Sequence, residues 1–249
     1  MIVCKSPLEI EKMRRGGLLL WELLNELRAM AAPGISTYDL EKVAAERITQ
    51  RGAQPAFKGY YDYPCVLCTS INNEIVHGIP SPRRILKEGD ILKIDMGVKT
   101  EGYYSDSALT VAVGKITPEL EKLVKVTEES LYAAIEQVKI GAHVGDVSSA
   151  VERYVEPHGY SVVRDFVGHG IGSQLHEDPK VPNYGTPGHG PKLKEGMVLA
   201  IEPMVNTGTH KTRILEDKWT AVTEDGGYSA HFEHCVVVTK NGPWILTKP

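Results

Sequence analysis

Five side chains dispersed along 249 residues have the types that hold divalent cations: Asp95, Asp106, His169, Glu202 and Glu233. Two of them close the same pattern. Leu86-Lys87-Glu88-Gly89-Asp90 and Leu193-Lys194-Glu195-Gly196-Met197 each lead through an apolar run to a carboxylate, so that Asp95 and Glu202 stand 107 positions apart in matching surroundings. Such runs predict strands inside the protein. An ionised carboxylate there costs on the order of several kcal/mol unless something cationic meets it.

Ile91 to Val98 and Tyr103 to Val111, joined by Lys99-Thr100-Glu101-Gly102, read as a hairpin. A turn centred on Thr100-Glu101 sets Asp95 opposite Asp106, with Cβ atoms roughly 4.5 to 5.5 Å apart. Like charges at that separation need a shared proton or a metal ion, unless the hairpin faces solvent. In the second half Glu202 ends its strand, Glu233 opens the apolar run through Val238, and His169 sits within Gly168-His169-Gly170-Ile171-Gly172. Four carboxylates and one imidazole are enough hard donors for two adjacent divalent ions, and four negative charges match two dications.

The elements that must position these groups repeat as well. Ser6-Pro7-Leu8-Glu9 is a capping box with proline at the first helical position, and Ile10, Met13, Leu20, Leu24 and Leu27 follow at helical spacing up to Pro33-Gly34. A second helix is predicted from Thr37 to Arg51. Pro118 opens a third that runs to Gly141, and a fourth spans Asp146 to His158. Gly34 with Gly141, Asp39 with Asp146, and Gly52 with Gly159 keep the 107-residue offset of the two carboxylates. A shared offset implies duplication: two related halves, near 1–114 and 115–249, closing as one catalytic domain on a site between them.

Composition narrows the class. With 42% hydrophobic residues the chain can bury a large core, and a net charge of −4 without a basic stripe argues against direct nucleic-acid binding. Glu9, Glu11, Lys12, Arg14 and Arg15 interrupt any signal-peptide core, and no apolar run reaches eighteen residues, so a soluble, cytoplasmic protein without a membrane partner is expected. Cys65-x-x-Cys68 has no second pair at zinc-ribbon spacing, and four cysteines suit a reducing compartment. The glycines around His169 lack dinucleotide spacing; they let backbone crowd a buried centre. Among nine histidines, His77, His169 and His176 have apolar or glycine-rich neighbours, whereas His231 and His234 stand with the remainder in polar stretches or lack that context.

Taken together, Ser70 to Pro80, the Asp95/Asp106 hairpin, Gly168 to Gly172, His176-Glu177, Ile201-Glu202-Pro203 and Phe232-Glu233-His234 resemble the methionine aminopeptidases, in their short bacterial type I form, nearly end to end. The interval from His176 to Glu202 leaves no room for a type II insertion, and no N-terminal extension is read. The resemblance implies an α/β (α+β) pita-bread fold, two pseudo-symmetric halves each pairing helices with antiparallel sheet. It implies two divalent ions, drawn from manganese, iron, cobalt and zinc: Asp95 on one, His169 and Glu202 on the other, Asp106 and Glu233 bridging. By the same resemblance a metal-bridging hydroxide attacks the scissile carbonyl, Glu202 shuttles the proton, His77 bonds the scissile amide and His176 steadies the oxyanion.

Phe57, Tyr60, Tyr63, Cys68, Leu175 and Trp219 match the positions that receive the methionine side chain, although Phe57 stands where cysteine is common and Leu175 where phenylalanine is. The implied activity is removal of the initiator methionine from nascent polypeptides when the second residue is small, by a monomer that works at the ribosome. A proline-specific peptidase of the same fold, a catalytically silent pita-bread protein and a calcium-binding protein are the competing readings.

Overall fold

The computed structural model describes residues 2–249. Helix α1 (Pro7–Met30) begins at the Ser6 box, where Glu9 accepts the Ser6 backbone N–H at 2.7 Å, and α2 (Thr37–Gln50) begins at Ser36, whose N–H is accepted by Asp39. Strands β1 (Gln54–Pro55), β2 (Leu67–Ile71), β3 (Glu74–Val76), β4 (Ile91–Thr100) and β5 (Tyr103–Ala112) follow. Then comes a second helix pair, α3 (Pro118–Ile135) and α4 (Val144–Val155). Asp146 closes the start of α4 as Asp39 closes that of α2, accepting the His143 N–H at 2.6 Å.

Ten further strands complete the chain: β6 (Ser161–Val162), β7 (Gly168–Gly170), β8 (Glu177–Val181), β9 (Val198–Ile201), β10 (Met204–Asn206), β11 (Thr212–Ile214), β12 (Ala221–Thr223), β13 (Ser229–His231), β14 (His234–Thr239) and β15 (Gly242–Ile245). All pairings among the described residues are antiparallel. The longest orders run β1-β4-β2, with β5 also on β4, and β15-β14-β9-β7-β8. Two smaller sheets, β13-β10-β6 and β11-β12-β3, lie beside them, and the second ties the first half's β3 to the second half's β12.

Alternation along β4 sorts its side chains. Leu92, Ile94, Met96 and Val98 pack with Leu20, Leu24 and Leu27 of α1 and Leu40 and Ile48 of α2. Lys93, Asp95 and Gly97 take the other face. The second core joins Leu123, Val126 and Leu131 of α3 and Val147, Val151 and Val155 of α4 to Leu199, Ile201, Val236 and Val238. At roughly 1.5 to 3 kcal/mol for each fully buried large aliphatic side chain, these two layers hold the strands that present the polar faces.

Three expectations need correction. The hairpin turns on Glu101-Gly102, both at positive φ (49° and 88°), so Thr100 pairs with Tyr103 and Asp95 faces Ala108, while Asp106 faces Gly97. A two-residue loop with both centres left-handed suits the strand twist, and glycine makes the second position cheap. A shift of two in pairing keeps Asp106 on the face of Asp95, so the carboxylates are diagonal neighbours. Helix α3 stops at Ile135, short of Gly141: Gln137 and Val138 bond carbonyls three residues back, and Gly141 bonds Leu193. Finally, the second acidic strand is only Val198–Ile201, with Glu202 just past its end, whereas Asp95 lies mid-strand.

Candidate metal centre and its pocket

The two halves are joined beside the acidic groups. Glu233 donates its backbone N–H to Ala108 O at 2.9 Å and receives Ser107 Oγ at its own carbonyl at 2.8 Å. Cys235 Sγ donates to Asp106 O and accepts the Asp106 N–H. Glu233 and Asp106 are thereby fixed relative to each other by backbone. Strand β7 adds His169, paired with Ala200 of β9, and Glu202 follows that strand directly. Gly168 admits this approach, because a Cβ there would strike the Ala200 carbonyl, and Gly170 does the same for β8, where a Cβ would strike the Asp178 backbone.

Donor atoms of Asp106, His169 and Glu233 all lie within 4.8 Å of one another, and His169 Nε2 is 3.6 Å from Glu202 Oε1. His169 Nδ1–H donates to the Gly170 carbonyl at 2.9 Å, which leaves the Nε2 lone pair turned to the acids. Burial raises all four carboxyl groups: Asp106 is pushed up to about 7 by burial against the lowering pull of its bonds to the Ser107 backbone and Asp95, and at Asp95, Glu202 and Glu233 repulsion from neighbouring acids adds to burial and carries them well above the carboxylate range. Among the described residues no lysine or arginine forms an ion pair with any of the four, and buried Lys93 donates to the carbonyls of Asn72 and Ser229 instead. Asp95 Oδ1, Asp106 Oδ1 and Glu233 Oε1 are buried without a hydrogen-bond partner. Aimed oxygens, an imidazole lone pair and carboxyl groups whose ionised form has no counter-charge beside it fit oxygen- and nitrogen-loving divalent ions, which would displace the protons.

Above the acids a cavity of about 260 Å³ opens to solvent. Its lining contains all thirteen residues singled out in the sequence, adding Tyr61. Phe57, Tyr63, Cys68 and Leu175 are buried in its apolar wall, and Trp219 lies edge-on to Tyr63 with ring centroids 5.0 Å apart. His77 holds a left-handed φ of 61° and sits edge-on to Phe166 and Trp219; burial lowers its pKa to about 4. A bulky side chain in that backbone region costs roughly 1 to 3 kcal/mol, and such strain clusters at functional sites. His176 stands at the exposed lip, its Nδ1 2.7 Å from Tyr60 Oη. A phenol donates better than it accepts and an imidazole nitrogen accepts well, so the proton on this ring sits on Nε2.

Sequence reasoning missed one buried group here. His231 is 1% exposed, with Nε2 3.8 Å from Glu202 Oε2, and burial lowers its pKa to about 3. Ala230 and Phe232 flank it, but two apolar neighbours do not say where a ring points, and pairing of β13 with β10 brings it behind Glu202. His234, also set aside, is a structural ring bonded to Thr247 Oγ1 at 2.8 Å.

The arrangement has known counterparts. The chain matches a model of metallopeptidase family M24 over residues 11–240. It is 52% identical to a methionine aminopeptidase of Clostridium perfringens over 99% of both chains. Among solved structures, a methionine aminopeptidase from Thermotoga maritima superposes with a TM-score of 0.98 at 47% identity, each chain covered fully. The prolidase of Pyrococcus horikoshii, at 24% identity and a TM-score of 0.79, shares the fold alone, and this chain spans 64% of it. The mixed helical and antiparallel architecture is the expected pita-bread fold. Matched from end to end in sequence and in backbone, the chain belongs to metallopeptidase family M24, among its methionine aminopeptidases.

Proposed function

We propose that the protein is a metal-dependent methionyl aminopeptidase that removes the N-terminal methionine of newly made polypeptides when the second residue is small. What carries the reading is four carboxyl groups without a lysine or arginine partner among the described residues, Asp106 and Glu233 buried and Asp95 and Glu202 partly so, with His169 at the floor of an apolar-walled cavity of about 260 Å³. Asp95, Asp106, His169, Glu202 and Glu233 would hold two divalent ions, with donor atoms of Asp106, His169 and Glu233 already within 4.8 Å of one another. When bound, such ions acidify water and polarise a carbonyl, the two needs of peptide hydrolysis near neutral pH.

The rest falls to the chain. Glu202, between His169 and His231, accepts and returns the proton. His176 offers Nε2–H to the oxygen that gains charge, its ring oriented by Tyr60. His77, fixed by its strained backbone and aromatic neighbours, bonds the scissile amide. Phe57, Tyr60, Tyr63, Cys68, Leu175 and Trp219 exclude water and receive an unbranched thioether. The two halves act as one catalytic domain. A monomer in the cytosol, meeting nascent chains near the ribosome, is the setting that goes with this substrate; no described helix is long and apolar enough to cross a membrane.

The test is a chelator-reversible assay with manganese, iron, cobalt and zinc added back one at a time. Met-Ala-Ser should be cleaved, and Met-Leu peptides left nearly untouched. Equal turnover of both would remove the small-residue rule, and cleavage of Ala-Pro or Gly-Pro instead would transfer the protein to the proline-specific peptidases.

A further inference from the structure

His231 has two ring nitrogens buried with no hydrogen-bond partner. Leaving a buried polar atom unsatisfied forfeits its hydration with nothing in return, so a histidine at 1% exposure with both nitrogens unmet calls for an explanation. Backbone contacts decide where the ring lies. Thr110 Oγ1 accepts the His231 N–H at 2.9 Å and donates to the His231 carbonyl at 2.6 Å, and Met204, two residues after Glu202, is the ladder partner of His231. The ring therefore stands behind Glu202, Nε2 to Oε2 at 3.8 Å, while His169 Nε2 faces Oε1 at 3.6 Å. One carboxylate lies between two imidazoles, one at each oxygen. A separation of 3.8 Å exceeds a hydrogen bond and is closed by a small carboxylate rotation or a bridging water.

We infer that His231 is a positioning residue for Glu202, donating Nε2–H to Oε2 when Oε1 turns to a bound cation. This rests on the reading of Glu202 as a metal ligand and extends it. A carboxylate held at one oxygen presents the other in a single orientation, and such partners of metal ligands contribute about 10- to 100-fold in affinity or activity. A purely structural role predicts something different: loss of fold stability on removal.

The experiment is calorimetric titration of the metal-free full chain with Mn²⁺, alongside kcat, KM and metal-free Tm, for His231→Leu, His231→Gln and His231→Asn. Leu should weaken Mn²⁺ binding about 10- to 100-fold and lower kcat with little change in KM. Its metal-free Tm should equal or exceed that of the parent, because two unsatisfied buried nitrogens are gone. Gln, whose amide reaches as far as Nε2, should recover most of the loss, and the shorter Asn should not. Parent-like Mn²⁺ affinity in His231→Leu overturns the inference, as does equal behaviour of Gln and Asn; the Gln/Asn pair decides the matter if Leu does not fold. Failure of the parent chain itself to bind Mn²⁺ or any other tested ion would instead remove the metal-site reading on which this rests.

Discussion

Asp95 and Glu202 occupy corresponding places in the two halves, yet their surroundings differ. Asp95 lies inside a ten-residue strand, on a hairpin whose other arm carries Asp106, backed by the Leu92–Val98 layer and two helices. Glu202 follows a four-residue strand and faces His169 and His231, while Glu233 and His169 come from separate short segments. The first half is a rigid frame that presents two carboxylates. The second half collects single groups around imidazoles that can handle protons. Duplicated architecture thus supports unequal chemistry, because the lengths of the strands and the residues behind them diverged while the ladder stayed.

Perturbing each side should separate frame from proton handling. The largest effect is expected for Asp106→Asn: metal uptake, read by elemental analysis of the purified chain, and peptidase activity should both fall to background. Undiminished metal content in that variant would remove the hairpin from the centre. On the second half, His176→Ala should lower kcat about 10²- to 10³-fold, as loss of one oxyanion donor does, while metal content stays near that of the parent. Loss of metal there would make the ring structural.

Lys5 Nζ meets Glu177 Oε2 at 2.5 Å with both side chains nearly buried, and Glu177 also accepts the Gln174 N–H, which ties down the segment bearing His176. Lys5→Met strands a buried charge and should cost about 3 to 5 kcal/mol in denaturant unfolding, with Lys5→Met/Glu177→Gln recovering much of it. A Cβ at Gly97 on the hairpin would come 2.8 Å from Phe57 Cε1. Gly97→Ala should therefore raise KM for Met-Ala-Ser by pushing Phe57 into the pocket, at roughly 1 to 3 kcal/mol of overpacking.

The smallest effect concerns the hairpin's outer tie. Tyr103 Oη donates to Glu9 Oε1 at 2.6 Å, and this bond, helped by those from Ser6, lowers the Glu9 pKa to about 2. A depressed carboxylate stabilises the fold above its unfolded value near 4.5, and the contribution disappears as pH falls from there towards 2. Tyr103→Phe should flatten part of that acid limb in unfolding measurements and leave stability at pH 9 nearly unchanged relative to pH 7. A steeper limb in the variant would contradict the assignment.

Much of this was readable along the chain because it depends on local chemistry. Capping boxes at Ser6 and Ser36 placed two helix starts, and the apolar runs before Asp95 and Glu202 marked both acidic segments. The thirteen candidate residues, found by type or through the family resemblance, all line one cavity. Register was less legible: Glu101, a residue that seldom takes positive φ, shifted the turn by one position and moved the partner of Asp95 from Asp106 to Ala108. The place of His231 was not legible. Flanking Ala230 and Phe232 suggest burial but not what the ring faces, which is set by β10 and by β5, 121 residues away, as its bonds to Thr110 show.

By itself the sequence determined which groups exist and which face each takes, since helix and strand periods act over a few residues and need no partner. Only the tertiary structure decided distances and solvation. Zipping Glu233 to Ala108 and Ser107 drew the four carboxylates into one water-poor space, and there burial and mutual repulsion, which no local pattern encodes, turned ordinary acids into a cation-seeking centre.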